Sequence, residues 1–229
     1  SKWEILNSGE SLPVSGRFNE GSVGSLFVGS GGILAEEFKI YSISDNYIEY
    51  LQRHVPNVYS NKVEHRVHTR KYVGVVLRIG KYNYYIPMSS PKETDYQVAG
   101  VRKVIKKSII PIIRVTTVNS NNEKELKGTL RISHMLPVPE AELELFDMET
   151  ESDEAYKDLV NNEMIFIRKN KEKILKNAQV MYKQKCENDT SAEYVKAALD
   201  YKQLELLCDG YGANKENGGR YETEIHDRQ

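Results

Sequence analysis

The sequence predicts an α+β domain: a compact, strongly twisted antiparallel sheet or partial barrel, with helices packed on it after the last strand. Three observations predict it. Short β-branched and aromatic segments separated by turn residues fill the stretch from 38 to 146. Consecutive strands tend to pair with their neighbours in the chain, which favours an antiparallel path. After Ser152 the spacing of apolar residues changes from alternation to the helical period.

The elements follow in order. Residues 38–43 alternate as a strand, and Ser44 or Asp45 then caps a short helix whose Tyr47, Ile48 and Leu51 share one face. That helix ends before Pro56, because the residue ahead of a proline avoids helical angles. Residues 72–79 and 82–88 form a hairpin about Gly80-Lys81. Two further strands are expected at 109–118, where Pro111 marks an edge or bulge, and at 128–133, with a polar loop over 119–127 between them. An extended piece at 141–146 follows Pro137 and Pro139. Tyr156, Leu159, Val160, Met164 and Ile167 lie at helical spacing, and Ile174, Leu175, Ala178 and Met181 continue the pattern to Cys186. A last helix opens at Thr190-Ser-Ala-Glu193, which has capping-box spacing, and carries Tyr194, Ala198, Tyr201 and Leu204 on one face.

With 229 residues the chain is long enough for one domain with a substantial core. Residues 1–37, fourteen of them Gly or Ser, read as a flexible leader that is in part expression-derived. The folded domain is expected over 38–209, with 210–229 as a flexible tail. The composition is 39% hydrophobic and 28% charged with a formal net charge of -1, which excludes a disordered polyelectrolyte and gives no global pull toward nucleic acid. The charge is segregated, however. Positions 62, 66, 70, 71, 78, 81, 92, 102, 103, 106 and 107 are Lys or Arg, against acids at 64, 93 and 95, a formal +8. From Glu140 to Asp158 nine acids face Lys157 alone. Cys186 and Cys208 are far apart and outside any metal-binding spacing, and no window has the apolar length of a membrane helix. A soluble cytoplasmic protein that uses no metal or other cofactor is expected.

The chemistry concentrates where the hairpin empties into Ser89-Ser90-Pro91-Lys92. Serine and proline also suit an ordinary strand exit, so a structural turn is one reading. Antiparallel pairing about Gly80, however, sets Arg70 beside Ser90, and the positive segment surrounds both. Hydroxyls, a guanidinium and an ammonium without a carboxylate pair suit a phosphodiester. For RNA they permit attack by the adjacent 2'-hydroxyl without a metal, the cations holding the developing charge. Lys62, Arg66, Lys71, Arg102, Lys103, Lys106 and Lys107 are candidates to track an RNA backbone, and Tyr72, Tyr82, Tyr84 and Tyr85 offer faces for splayed bases. Alternation requires that at least one of these rings be core, and the 102–107 stretch also suits a solvated strand edge. His65 and His68 titrate in the range of a general base, although a loop position makes solvent exposure the simpler reading.

Six stretches carry a family resemblance. They are Lys39-Ile-Tyr-Ser-Ile-Ser, Asp45-Asn-Tyr-Ile-Glu-Tyr-Leu, Arg70-Lys-Tyr-Val-Gly-Val-Val-Leu, Tyr85-Ile-Pro-Met-Ser-Ser-Pro-Lys92, Ser133-His-Met-Leu-Pro-Val-Pro-Glu-Ala-Glu, and Asn162-Glu-Met-Ile-Phe-Ile-Arg-Lys-Asn with Ile174. In this order and spacing the chain resembles the ToxN/AbiQ family of type III toxin-antitoxin endoribonucleases. The resemblance implies a MazF/Kid-like fold and metal-independent cleavage of RNA that leaves a 2',3'-cyclic phosphate and a 5'-hydroxyl. It also implies inhibition by a repeated small pseudoknot RNA antitoxin that the toxin itself processes, an assembly holding several copies of each, and a role in phage abortive infection. It places the catalytic serine at Ser90, the preceding hydroxyl at Ser89, the lysine at Lys92 and a basic residue at Arg70. Relatives that carry a tyrosine four residues before the basic position differ from this chain, which has Arg66 there. A non-catalytic RNA-binding module on the same small sheet is the alternative.

Overall fold

The computed structural model describes residues 37–62, 68–189 and 191–226. Its centre is the hairpin of β2 (Tyr72–Ile79) and β3 (Tyr82–Ser89), an antiparallel pair with a register shift between Val73 and Leu77. Gly80 turns the chain with φ of 56°, a left-handed angle that a residue without Cβ adopts freely.

On one side of the hairpin, β2 pairs with β1 (Lys39–Ile43), which pairs in turn with β9 (Leu143–Leu145). On the other side, β3 is shared between two partners. Its first half meets the two-residue β8 (Leu136–Pro137), and its last two residues meet β7 (Lys124–Arg131), which pairs with β6 (Ile112–Val118). Every pairing is antiparallel, and the order is β6-β7-β3-β2-β1-β9. The expected closure toward a barrel does not occur. The sheet stays open, with β6 and β9 as its edges.

Helices supply the cover. The first is α1 (Asp45–His54), capped by the Ser44 hydroxyl, which accepts the Tyr47 N–H. Next come α2 (Glu154–Lys169) over β6 and β7, and α3 (Lys171–Cys186) over β2. The short α4 (Glu193–Lys196) leads to α5 (Tyr201–His226), which packs on β8 and α1. Tyr47, Leu51, Tyr84, Ile86, Ile167, Ile174, Met181 and Leu204 belong to one buried cluster that joins sheet and helices.

The structure differs from expectation at five points. The strand expected from 109 starts at Ile112, because Pro111 has no N–H for a ladder and an Ile109–Ile112 bridge bends the chain first. The polar loop is shorter than expected: β7 begins at Lys124, and its charged first residues face solvent while pairing with an edge strand. A separate hairpin, β4 (Tyr96–Ala99) with β5 (Arg102–Ile105), left no signal in the sequence because it buries no apolar face, Val98 and Val101 being exposed. The last helix is two, with the break at Asp200, whose carboxylate accepts the Gln203 N–H. Thr190, the expected cap, lies outside the described residues, as do residues 1–36 of the leader. Finally, α5 continues through Gly210, where the tail was expected to begin.

Candidate active site at the end of the central hairpin

Met88 and Ser89 are the last residues of β3, held on their outer side by Leu130 and Thr129 of β7. The end of β3 separates the two serines: Ser89, its last residue, is buried and Ser90, just past it, is exposed. Opposite them, immediately before β2, lies Arg70, itself only 8% exposed. Its Nη1 donates to the Met88 carbonyl at 2.8 Å and to Ser89 Oγ at 2.9 Å, and its Nε donates to the Ser60 carbonyl at 3.0 Å. The guanidinium also lies 4.9 Å from the Tyr59 ring centroid. The pairing of Arg70 with the serine turn is thus as the strand register implied, shifted by one residue to Ser89. Nε and Nη1 are both engaged by the protein, so the guanidinium shapes the turn.

A cleft of about 330 Å³ opens beside this turn, with Arg70, Lys71, Ser89, Ser90, Lys127 and Glu163 on its walls. Lys71 is half-buried; its ammonium donates to Ser42 Oγ at 2.9 Å, and burial lowers its pKa. Lys127 reaches Glu125 at 2.9 Å. Lys92 is exposed and is not among the residues lining the cleft, and the backbone of its turn is fixed by Asp95, which accepts the Lys92 N–H at 3.0 Å. Asp95 is fully buried and faces Arg114 at 3.3 Å and Arg131 at 3.8 Å. The Ser-Ser-Pro-Lys turn is therefore fixed at both ends, by Arg70 and by Asp95.

The remaining candidates separate. Lys62 is exposed and paired with Asp45 at 3.0 Å. Lys103 pairs with Glu93 at 2.6 Å and lies over Tyr96. Arg102 belongs to β5, and Lys106 and Lys107 follow it, so this basic group sits on the outlying hairpin and its exit and not in the cleft. Arg66 and His65 lie outside the described residues. Tyr72 is corrected: its ring is 0% exposed and its hydroxyl donates to Asn61 at 3.1 Å, so it packs in the core and presents no face to a base. Tyr84 and Tyr85 are buried as well, and Tyr82 donates to Asp209 at 2.8 Å.

Two features of the cleft escaped the sequence reading. His68 is not free in solvent: it stacks on Tyr156 at 3.7 Å, with Nε2 3.3 Å from Asp153. Asp153, from the acidic segment, thus joins the basic wall. Glu163 is the other. It stands between Val160 and Ile167 on the buried face of α2, and an acid on an apolar helical stripe was the available sign. Burial pushes its pKa up to about 8. Among the described residues no three His, Cys, Asp or Glu side chains gather as a metal-binding group, and no helix is long and apolar enough to cross a membrane.

An open antiparallel sheet under a helical cover, with hydroxyls and cations gathered at one strand end, defines a small α+β protein suited to an anionic ligand. The sequence profile of toxin ToxN of type III toxin-antitoxin systems matches residues 39–209, and the chain belongs to this family. It is 27% identical over 179 residues to an endoribonuclease ToxN of Bacillus thuringiensis subsp. kurstaki, covering 76% of this chain and 84% of the relative. It is 25% identical over 179 residues to endoribonuclease AbiQ of Lactococcus lactis subsp. lactis, covering 78% and 92%. Among solved structures, a type III toxin selectively inhibited by a non-coding RNA pseudoknot matches with a TM-score of 0.60 at 24% identity, covering 77% of this chain and 99% of its own. The lactococcal anti-phage endoribonuclease AbiQ matches with a TM-score of 0.60 at 24% identity, covering 77% and 98%. These two likenesses establish the fold.

Proposed function

We propose that this chain is a metal-independent endoribonuclease, the toxin of a type III toxin-antitoxin system acting in the cytoplasm. It cleaves RNA by attack of the substrate's own 2'-hydroxyl, leaving a 2',3'-cyclic phosphate and a 5'-hydroxyl. The observation that carries this reading is the division of the two serines: Ser89 is bound to Arg70, and the exposed Ser90 lines the cleft. With the nucleophile supplied by the RNA, Ser90 positions the phosphate or relays a proton. Arg70 and Lys92 stabilise the more negative phosphorane, Arg70 also by holding the turn. Membership of the ToxN family and two relatives named endoribonucleases support the activity.

The partner in this reading is a repeated small RNA pseudoknot that the chain processes and is inhibited by, in an assembly with several copies of each. The biological role is phage abortive infection. The pseudoknot-inhibited toxin and the anti-phage AbiQ are the neighbours that support it. The proposal extends to a MazF/Kid-like sheet, for which the antiparallel, helix-covered path is the support.

The test compares the parent chain with Ser90→Ala and Lys92→Ala on a long transcript, with chelator present and the antitoxin removed. Cleavage by the parent that ends in a 2',3'-cyclic phosphate and is lost in Ser90→Ala is the expected result. RNA binding by the parent without cleavage, whether or not chelator is present, would replace this reading with a non-catalytic RNA-binding module, and cleavage only when chelator is left out would refute metal independence.

A further inference from the structure

Four carboxyl groups are buried among the described residues: Asp95, Glu142, Glu163 and Glu205. Three are held by donors. Asp95 faces Arg114 and Arg131. Glu142 accepts from Ser44 and Tyr211. Glu205 accepts from Tyr84, Tyr182 and Lys202. Glu163 is 8% exposed, lines the cleft, and makes no hydrogen bond or ion pair with any described residue. A buried acid without a donor is costly, and it holds its proton in preference to charging.

Its surroundings keep it where it is. A Cβ on Gly128 of β7 would lie 2.5 Å from Glu163 Oε1 and 3.1 Å from the Ser89 carbonyl oxygen. The absent side chain therefore leaves a slot, and the slot seats the Glu163 carboxyl against the strand end that carries the two serines. The carboxyl also lines the cleft onto which Ser90 opens. The other charged groups of that cleft are Arg70, Lys71, His68, Lys127 and Asp153. On β6, which packs under α2, Arg114 pairs with Asp95 and donates to the Lys107 carbonyl. The buried residues of α3, the helix that follows α2, are Ile174, Ala178 and Met181, none ionisable.

We infer that Glu163 acts as an uncharged hydrogen-bond donor to a phosphate oxygen of RNA bound in the cleft, and that loss of its proton weakens that binding. The inference deepens the RNA-cleaving reading above and rests on it. A neutral carboxylic acid offers one O–H, whereas the carboxylate offers only acceptors and a negative charge toward a polyanion. No bond is made or broken at Glu163; its role is to hold the phosphate. Burial already places the change of charge near pH 8, close enough to neutrality for the donor to be present under ordinary conditions.

The test measures the affinity of the full chain for a labelled single-stranded RNA of mixed sequence from pH 6.5 to 9.5, with cleavage scored in the same samples. The wild type, Glu163→Gln and Glu163→Ala are compared, and a melt at each pH confirms that each remains folded. Glu163→Ala should bind about tenfold more weakly at pH 6.5. Glu163→Gln, which keeps an N–H donor and cannot ionise, should restore that loss. The wild type should lose affinity relative to Glu163→Gln above about pH 8. A wild-type to Glu163→Gln affinity ratio that is constant across this range overturns the inference, as does a Glu163→Gln variant as weak as Glu163→Ala. Absence of cleavage with intact RNA binding would remove the nuclease reading and leave the affinity comparison valid.

Discussion

Arg70 and Ser89 are joined side chain to side chain, Nη1 to Oγ at 2.9 Å, and the same Nη1 also donates to the carbonyl preceding that serine. The strand exit is therefore fixed from the side. Replacing Arg70 by Lys removes the planar fork and cannot satisfy the Ser60 and Met88 carbonyls together. The expected cost is about 1.5–3 kcal/mol in urea unfolding, with a fall in RNA cleavage. An unchanged midpoint and unchanged cleavage would show that the fork is dispensable.

Ser90 is exposed, and its substitution should leave the fold intact. Ser90→Ala is expected to change stability by less than about 0.5 kcal/mol while abolishing RNA cleavage and growth arrest. Expression without antitoxin is the direct assay, and toxicity equal to the parent would take Ser90 out of the mechanism.

Asp95 is the only carboxylate that the described structure gives to the buried Arg114 and the partly buried Arg131. Asp95→Ala leaves the Arg114 guanidinium buried without it and removes the acceptor of the Lys92 N–H. The expected destabilisation is about 3–5 kcal/mol by denaturant titration, the range for a broken buried ion pair.

The raised pKa of Glu163 has a thermodynamic sign. An acid that ionises near pH 4.5 when unfolded and near pH 8 when folded makes the native state bind the extra proton between those values. Stability is full below the lower value, falls as pH rises through the window, and levels off above the upper one. Glu163→Gln removes this term and should raise stability at pH 7 by a few kcal/mol, on the order of 3, with little effect at pH 4. Melting temperatures at the two pH values measure it; an equal shift at both would mean the acid is not held protonated.

RNA affinity should fall steeply between about 50 and 200 mM salt, because several phosphates are neutralised together. A flat response would place the basic segment away from RNA.

Much of this architecture is legible in the chain because its signals are local. The hairpin about Gly80, the α1 cap at Ser44 and the apolar stripes of α2 and α3 are set by neighbouring residues, and they stand where periodicity puts them. The proximity of Arg70 to the serine turn follows from strand register alone. What the sequence could not show depends on the third dimension. The β4–β5 hairpin has no buried face to imprint a pattern, and Tyr72 differs from an exposed tyrosine only in what covers it. His68 acquires its Asp153 and Tyr156 partners across a large sequence gap. Glu163 was visible as an acid in an apolar stripe, but the lack of a donor around it is a property of the packed cleft.

Gly128 restricts how this chain could be made sturdier. Glycine inside a strand is an obvious target for stabilisation, since a β-branched replacement usually stiffens the backbone and adds packing. Here any added carbon must displace either the Glu163 carboxyl or the main chain at Ser89. Thermostabilised versions of this protein will have to find their gains elsewhere, because bulk at that single position crowds a buried side chain and a strand end at once.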